Sequence, residues 1–157
     1  MAPSNESVFD RLTRLLDEAG VDHTVLRHEP VYTSDEAARV RGVSLASGAK
    51  ALLVKLGDAF HLLVLPGDRK LNSGKARRAV GVKRSRFATP AELLEATGLE
   101  PGAVPPFGSL FGLETLCDPA LEQNDTINFN AGDHCISVQM RLADYLRVES
   151  PRRAELS

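Results

Sequence analysis

The chain has 157 residues, of which 43% are hydrophobic and 25% charged, with a formal charge of -2; these are the proportions of one soluble α/β-sized domain with a single substantial core. With no Trp, few aromatics and only Cys117 and Cys135 as cysteines, it is neither an aromatic cage nor a disulfide scaffold. No apolar run approaches the roughly 18 residues of a membrane span, the opening MAPSNESVFD does not read as a signal peptide, and the expected compartment is the cytoplasm.

Ser7 to Ala19 is predicted as the first helix: Phe9, Leu12, Leu15 and Leu16 recur at helical spacing and Gly20 stops it. Val21 to Arg27 reads as a short strand before the turn at Pro30. Ser34 is the expected N-cap of a helix over Asp35 to Arg41, with Asp35 and Glu36 at its positive end and Gly42 after it. Ala49 to Leu56 and Ala59 to Leu65 flank Gly57-Asp58, which predicts a hairpin. Asn72 or Ser73 can start a short basic helix ending near Gly81, and Val82 to Ala88 follows as a strand. Thr89-Pro90-Ala91-Glu92 is a capping box with proline at the first helical position, for a helix running to Thr97.

Glu100 to Gly108 packs three prolines and two glycines into nine residues, the composition of an ordered, non-repetitive loop. Leu113 to Cys117, Thr126 to Asn130 and His134 to Met140 read as strands, with Ala131-Gly132-Asp133 joining the last two. Leu142 to Arg147 is a short helix or turn. Residues 150–157 are a charged tail expected to be flexible, leaving residues 5–149 as the domain. The expected fold is α/β: a single compact domain with a mixed, largely antiparallel sheet and surrounding helices.

Charge is unevenly spread. Arg69 through Ala91 holds eight basic residues and no acid, and the rest carries 11 basic against 21 acidic residues. A local positive field on an acidic body can hold a phosphate backbone while repelling polyanions elsewhere. Lys50 shares a strand face with Leu52, Val54 and Leu56, so its ammonium either snorkels at the strand end or serves an anion or a carbonyl. The glycine-proline loop can bring backbone groups close to a ligand and hold them still. His134 and His28 sit at strand rims, where imidazole can bind a substrate or remain structural. Nucleotide-binding glycine motifs, a serine-hydrolase elbow and metal-ligand spacing are all absent from the sequence. Neither a cofactor nor a metal is expected.

Taken in order, Tyr32-Thr33-Ser34-Asp35-Glu36-Ala37-Ala38, Gly48-Ala49-Lys50-Ala51-Leu52-Leu53-Val54-Lys55, Leu65-Pro66-Gly67-Asp68-Arg69-Lys70-Leu71, Gly98 to Gly108 and Phe129-Asn130-Ala131-Gly132-Asp133-His134 resemble the prolyl-tRNA synthetase editing domain and its free-standing YbaK-like relatives. The resemblance covers roughly Val21 to Tyr145. It implies a partly barrel-like sheet and hydrolysis of the ester joining a mischarged small amino acid (Ala, Cys, Ser or Thr) to the end of tRNA.

The family lysine falls on Lys50, and the family Gly-x-x-x-Pro element on Gly102 to Pro106. The resemblance makes Lys50, Gly102 and Pro106 the catalytic set, with Lys50 on the nucleotide end and the loop backbone positioning water. His28, Ala103, Phe107, Gly108 and His134 are the expected substrate-binding residues. Pro105 stands where the commoner form has serine. Arg69, Lys70, Lys75, Arg77 and Arg78 are the expected tRNA contacts. The implied partners are an aminoacyl-tRNA acceptor end and, transiently, a synthetase, with the chain acting in trans. The alternatives are a non-catalytic tRNA-binding module of this fold and a hydrolase of another small ester or amide.

Overall fold

The computed structural model describes residues 6–157, so the expected domain start at residue 5 lies outside it. The elements, in order, are α1 (Val8–Glu18), β1 (His23–Arg27), α2 (Ser34–Arg41), β2 (Ala49–Leu56), β3 (Ala59–Pro66), α3 (Ser73–Val80), β4 (Ser85–Phe87), α4 (Pro90–Thr97), β5 (Glu114–Cys117), β6 (Thr126–Asn130), β7 (Ile136–Arg141), α5 (Leu142–Glu149) and β8 (Arg152–Arg153). Short 3-10 turns at Leu45–Ser47, Gly108–Phe111 and Pro119–Gln123 complete them. Among the described residues, no helix is long and apolar enough to cross a membrane.

The strands form two sheets, ordered β1-β7-β6 and β4-β2-β3-β5-β8. Pairing is antiparallel throughout the first. In the second, β4, β2 and β3 pair antiparallel, whereas β3 with β5 and β5 with β8 are parallel. A bridge between Gly48 and Asn128 joins the two sheets, which meet there without closing into a barrel. The expected mixed, largely antiparallel architecture is thus present as two sheets sharing a seam.

Burial follows from side-chain alternation along β2 and β3. Val54, Leu56, Leu63 and Leu65 face α3 and the chain end, packing with Ala76 and Leu156. On the opposite face, Leu53 and Leu62 pack with Leu93 of α4 and with Val104. Val64 and Ala49 instead join the core over the three-stranded sheet, where Leu12 and Leu16 of α1 meet Phe129, Val138 and Tyr145. The five-stranded sheet is therefore covered on both sides.

Several boundaries differ from the sequence reading for local reasons. The cap of α2 is Thr33, not Ser34: its hydroxyl accepts from the Glu36 N–H at 3.1 Å. The His134 strand begins only at Ile136, because the Asp133 carboxylate accepts from the Cys135 N–H at 2.7 Å and holds a turn. Val82 to Ala88 shortens to β4 at the sheet edge.

The chain end departs most from expectation. Residues 150–157 do not hang free: β8 pairs with β5, and Leu156 is fully buried. The Asp118 carboxylate accepts from the Leu156 N–H at 2.9 Å and from the Ser157 hydroxyl at 2.8 Å. One apolar side chain and one buried acid outweigh the local charge density that suggested fraying.

Candidate active site

A cavity of about 270 Å3 opens at the seam between the sheets. One side is α2, which presents Ser34, Ala37, Ala38 and Arg41, the spacing of a single helical face. The start of β2 supplies Gly48 to Leu52, and the end of β6 supplies Asn128 to Asn130. Gly102 and Val104 of the glycine-proline loop close the remaining side, and Tyr32, 64% exposed, stands at the edge. Two cations line this space, Arg41 and Lys50, and no carboxylate does.

Lys50 is half-buried at the first turn of β2, where its Nζ donates to the Arg69 carbonyl. Burial pushes its ammonium below the ordinary value; Asp68 opposes that fall and Lys70 adds to it. The Arg69 backbone follows the Pro66-Gly67-Asp68 turn, so the hairpin that makes the sheet also sets the lysine. Lys50 and Gly102, distant in sequence, both line the cavity.

Arg41 was not singled out by the sequence reading. Its Nε donates to the Ser137 hydroxyl at 2.8 Å and its Nη2 to Asn130 Oδ1 at 2.9 Å. Asn130 Nδ2 in turn donates to the Gly102 carbonyl at 2.7 Å. This chain ties the end of α2 to β6, to β7 and to the loop. Burial lowers the Arg41 guanidinium to about 10, which leaves it cationic at neutral pH. Gly102 adopts φ +86°, a conformation that glycine accepts readily and other residues do not.

Beyond Gly102 the loop turns into the core. Gly132 N–H donates to the Ala103 carbonyl at 2.8 Å, and the Tyr145 hydroxyl to the Pro106 carbonyl at 2.6 Å. Phe107 is fully buried, edge-on to Phe129 and Tyr145 at ring separations of 5.7 and 5.1 Å. The Gly108 N–H donates to Thr115 Oγ1 at 2.9 Å, and a Cβ there would lie 2.6 Å from the Leu113 carbonyl oxygen. Ala103, Pro106, Phe107 and Gly108 are absent from the cavity lining. Expected at the pocket, they instead anchor the loop from behind, because the aromatic ring and the two alkyl side chains gain more by burial than by lining a polar space.

The histidines are also one step removed. His28 Nδ1 donates to the Glu29 carbonyl at 2.7 Å, and its Nε2 lies 2.8 Å from the Ser137 hydroxyl that Arg41 also uses. His134 Nε2 donates to the Pro101 carbonyl at 2.9 Å, and its ring lies 4.7 Å from that of Tyr32. Each supports a neighbour of the cavity, and neither lines it.

The basic segment divides. Arg69 and Lys70 are exposed beside Lys50. Lys75 and Arg78 face Arg152 and Arg153, with the Lys75 Nζ on the Ser157 carbonyl oxygen at 2.7 Å. Arg77 turns the other way, to the Ser85 hydroxyl at 3.1 Å. Arg84 and Arg86 pair with Asp58 and Glu92. Of the five expected tRNA contacts, Arg69 and Lys70 are those adjoining the cavity. No group of His, Cys, Asp and Glu among the described residues is arranged to hold a metal ion.

Known proteins resemble the chain in sequence and in fold. The model of the aminoacyl-tRNA editing domain matches residues 28–148, a span that includes every lining residue of the cavity. The multifunctional Ser/Thr-tRNA deacylase ProXp-y of Escherichia coli is 39% identical over 146 residues, covering 90% of this chain and 87% of that protein. Proline--tRNA ligase of Bacillus subtilis is 32% identical over 68% of this chain, a stretch that occupies 20% of the ligase. Among solved structures, a protein proposed to be a trans-editing enzyme for prolyl-tRNA synthetase superposes with a TM-score of 0.83 at 26% identity, covering 99% of both chains. By matched residues and by fold, the chain belongs to the aminoacyl-tRNA editing domain family.

Proposed function

We propose that this chain is a trans-acting aminoacyl-tRNA deacylase that hydrolyses the ester of a small mischarged amino acid, with seryl- and threonyl-tRNA the first substrates to test. The observation that carries this reading is the joint presence of Lys50 and Gly102 in a small cavity lined by two cations and no acid. The similarity to a Ser/Thr-tRNA deacylase over most of both chains supports the choice of amino acids.

Aminoacyl esters are already activated, so the site needs no covalent nucleophile. Holding a water against the carbonyl carbon and favouring the tetrahedral state suffices. Lys50 holds the phosphate of the terminal nucleotide, a task suited to a desolvated ammonium at a cavity edge. The Gly102 backbone, fixed through its carbonyl by Asn130, sets the wall against which aminoacyl group and water are placed. Its N–H donates to no group among the described residues and is free for the substrate. Arg69 and Lys70 lead the acceptor strand toward the cavity by phosphate contacts, which position RNA without reading its sequence.

A cavity this small separates alanine, cysteine, serine and threonine by size only weakly: one methylene is worth about 1–3 kcal/mol. The test is deacylation of alanyl-, cysteinyl-, seryl- and threonyl-tRNA by the wild type and Lys50→Ala. Release of one or two amino acids, abolished in the variant, is expected. Tight tRNA binding with no release from any member would replace the enzyme with a binding module. Release that needs no tRNA would make it a hydrolase of other esters.

A further inference from the structure

Arg41 is the cavity's unexplained charge. A half-buried guanidinium ordinarily faces a carboxylate, since a desolvated cation without a counter-charge is costly. Here two of its three nitrogens donate to neutral oxygens, those of Ser137 and Asn130. The third, Nη1, donates to no group among the described residues. It lies beside Gly48, 3.9 Å from the position a Cβ would take there, and Gly48 is itself a lining residue. The fork is fixed at one edge and free at the other.

From this geometry we infer that the free Nη1 edge of Arg41 donates to the carbonyl oxygen of the scissile ester and holds its negative charge as it forms. The inference rests on the deacylase reading above. In the step itself, the oxygen of a water bonds to the carbonyl carbon while the carbonyl π pair moves onto the oxygen facing Arg41. Collapse then restores the carbonyl and breaks the bond to the ribose oxygen, which leaves with a proton derived from the attacking water. The products are a free ribose hydroxyl and an amino acid, whose carboxyl proton passes to solvent.

Three features suit Arg41 to this task. Its orientation is set in advance by Ser137 and Asn130, so little reorganisation accompanies charge development. Its charge has no competing anion in the cavity. And because Asn130 also holds the Gly102 carbonyl, the same fork that receives the oxyanion keeps the loop in register with it. Lys50 holds the nucleotide and Arg41 the reacting carbonyl: two cations with separate tasks.

The experiment is single-turnover hydrolysis of whichever aminoacyl-tRNA the wild type deacylates, by Arg41→Gln and Arg41→Lys, with tRNA affinity and thermal melting measured in parallel. Loss of one oxyanion donor lowers a rate by about 100- to 1,000-fold. Arg41→Gln is expected to slow the saturated rate on that scale with tRNA affinity within a few-fold of wild type. Arg41→Lys, whose single ammonium cannot span Ser137, Asn130 and the substrate together, is expected to fall between. A folded Arg41→Gln at the wild-type rate overturns the inference, as does a loss confined to tRNA affinity.

If Arg41→Gln does not melt cooperatively, Arg41→Lys decides: a wild-type rate there overturns it equally. If neither folds, the wild type is titrated with a phosphonate mimic of the seryl-adenosine tetrahedral state. The inference requires the Arg41 side-chain N–H resonances to move, and unmoved resonances with the mimic bound refute it. A wild type inactive on every charged tRNA would instead remove the deacylase reading, a different result from an active enzyme indifferent to Arg41.

Discussion

Tyr145→Phe removes one oxygen and leaves the ring that packs edge-on against Phe107. That oxygen donates at 2.6 Å to the Pro106 carbonyl, which accepts from no other group among the described residues. Tyr145 is fully buried, so water cannot take the vacated place without the core opening. The variant therefore leaves a buried acceptor unsatisfied, a loss of about 1–3 kcal/mol. For a domain of this size each kcal/mol moves the melting temperature by about 2–4 °C, so a central value of about 2 kcal/mol lowers it by about 4–8 °C. Paired calorimetric melts measure this directly.

The pH dependence of that difference is a second readout. Burial raises the Tyr145 phenol well above its ordinary value, with Cys117 and Glu149 adding to the shift. A group whose folded pKa is raised stabilises the fold fully below the unfolded value, about 10 for tyrosine, and loses that contribution as pH rises past it. The gap between wild type and variant should stay constant from neutral pH to about 10 and narrow above it. Equal melting temperatures near neutrality would refute the assignment of Tyr145 as the clamp on the loop's far end.

Two other substitutions probe the chain end. Leu156→Ala deletes a fully buried side chain packed with Leu63 and Leu65 and should cost about 2–5 kcal/mol, read by urea unfolding; a change near zero would mean that the terminal segment adds nothing to the core. Asp118→Asn tests the anchor itself. Burial raises the Asp118 pKa, but hydrogen bonds from Ala120, Ser157 and Leu156 outweigh it, and the net shift is downward. A depressed carboxylate stabilises above its unfolded value, about 3.9, and that contribution is lost as pH falls below it. The advantage of wild type over Asp118→Asn in urea melts should be full at neutral pH and shrink below about pH 4; an advantage unchanged at low pH would rule out the charge as its source.

Local signals carried most of the secondary structure. The Gly57-Asp58 hairpin, the Thr89–Glu92 capping box and the apolar period of the first helix each need only neighbouring residues, and each is present. Lys50 and Gly102, which the family resemblance singles out, both line one cavity. Arg41 was not singled out. In sequence it is one more arginine in the last turn of a helix, where the helix dipole alone would favour it. Its partners Asn130 and Ser137 lie 89 and 96 residues away, and only the folded chain brings them within reach of the Arg41 side chain.

Phe107 misled in the opposite direction. A ring flanked by prolines and glycine reads as a pocket wall, but the loop reverses after Gly102, and the ring is drawn into the core by Phe129 and Tyr145. The docked chain end was illegible for a related reason. Its anchor is a single leucine and an acid far upstream, against a local background of arginine and glutamate.

The division of the cavity wall among separate elements bears on how its selectivity can drift. The two cations of the lining are tied by hydrogen bonds to β6, β7 and the Arg69 backbone, whereas Ala37 and Ala38 bring only methyl groups to it. Enlarging either alanine narrows the space for an amino-acid side chain while leaving Lys50, Asn130 and Arg41 themselves in place. On the proposed reading, discrimination and turnover would then fall to different residues. A lineage, or an engineer, can retune which amino acid is accepted one methyl group at a time while the hydrolytic apparatus stays as it is.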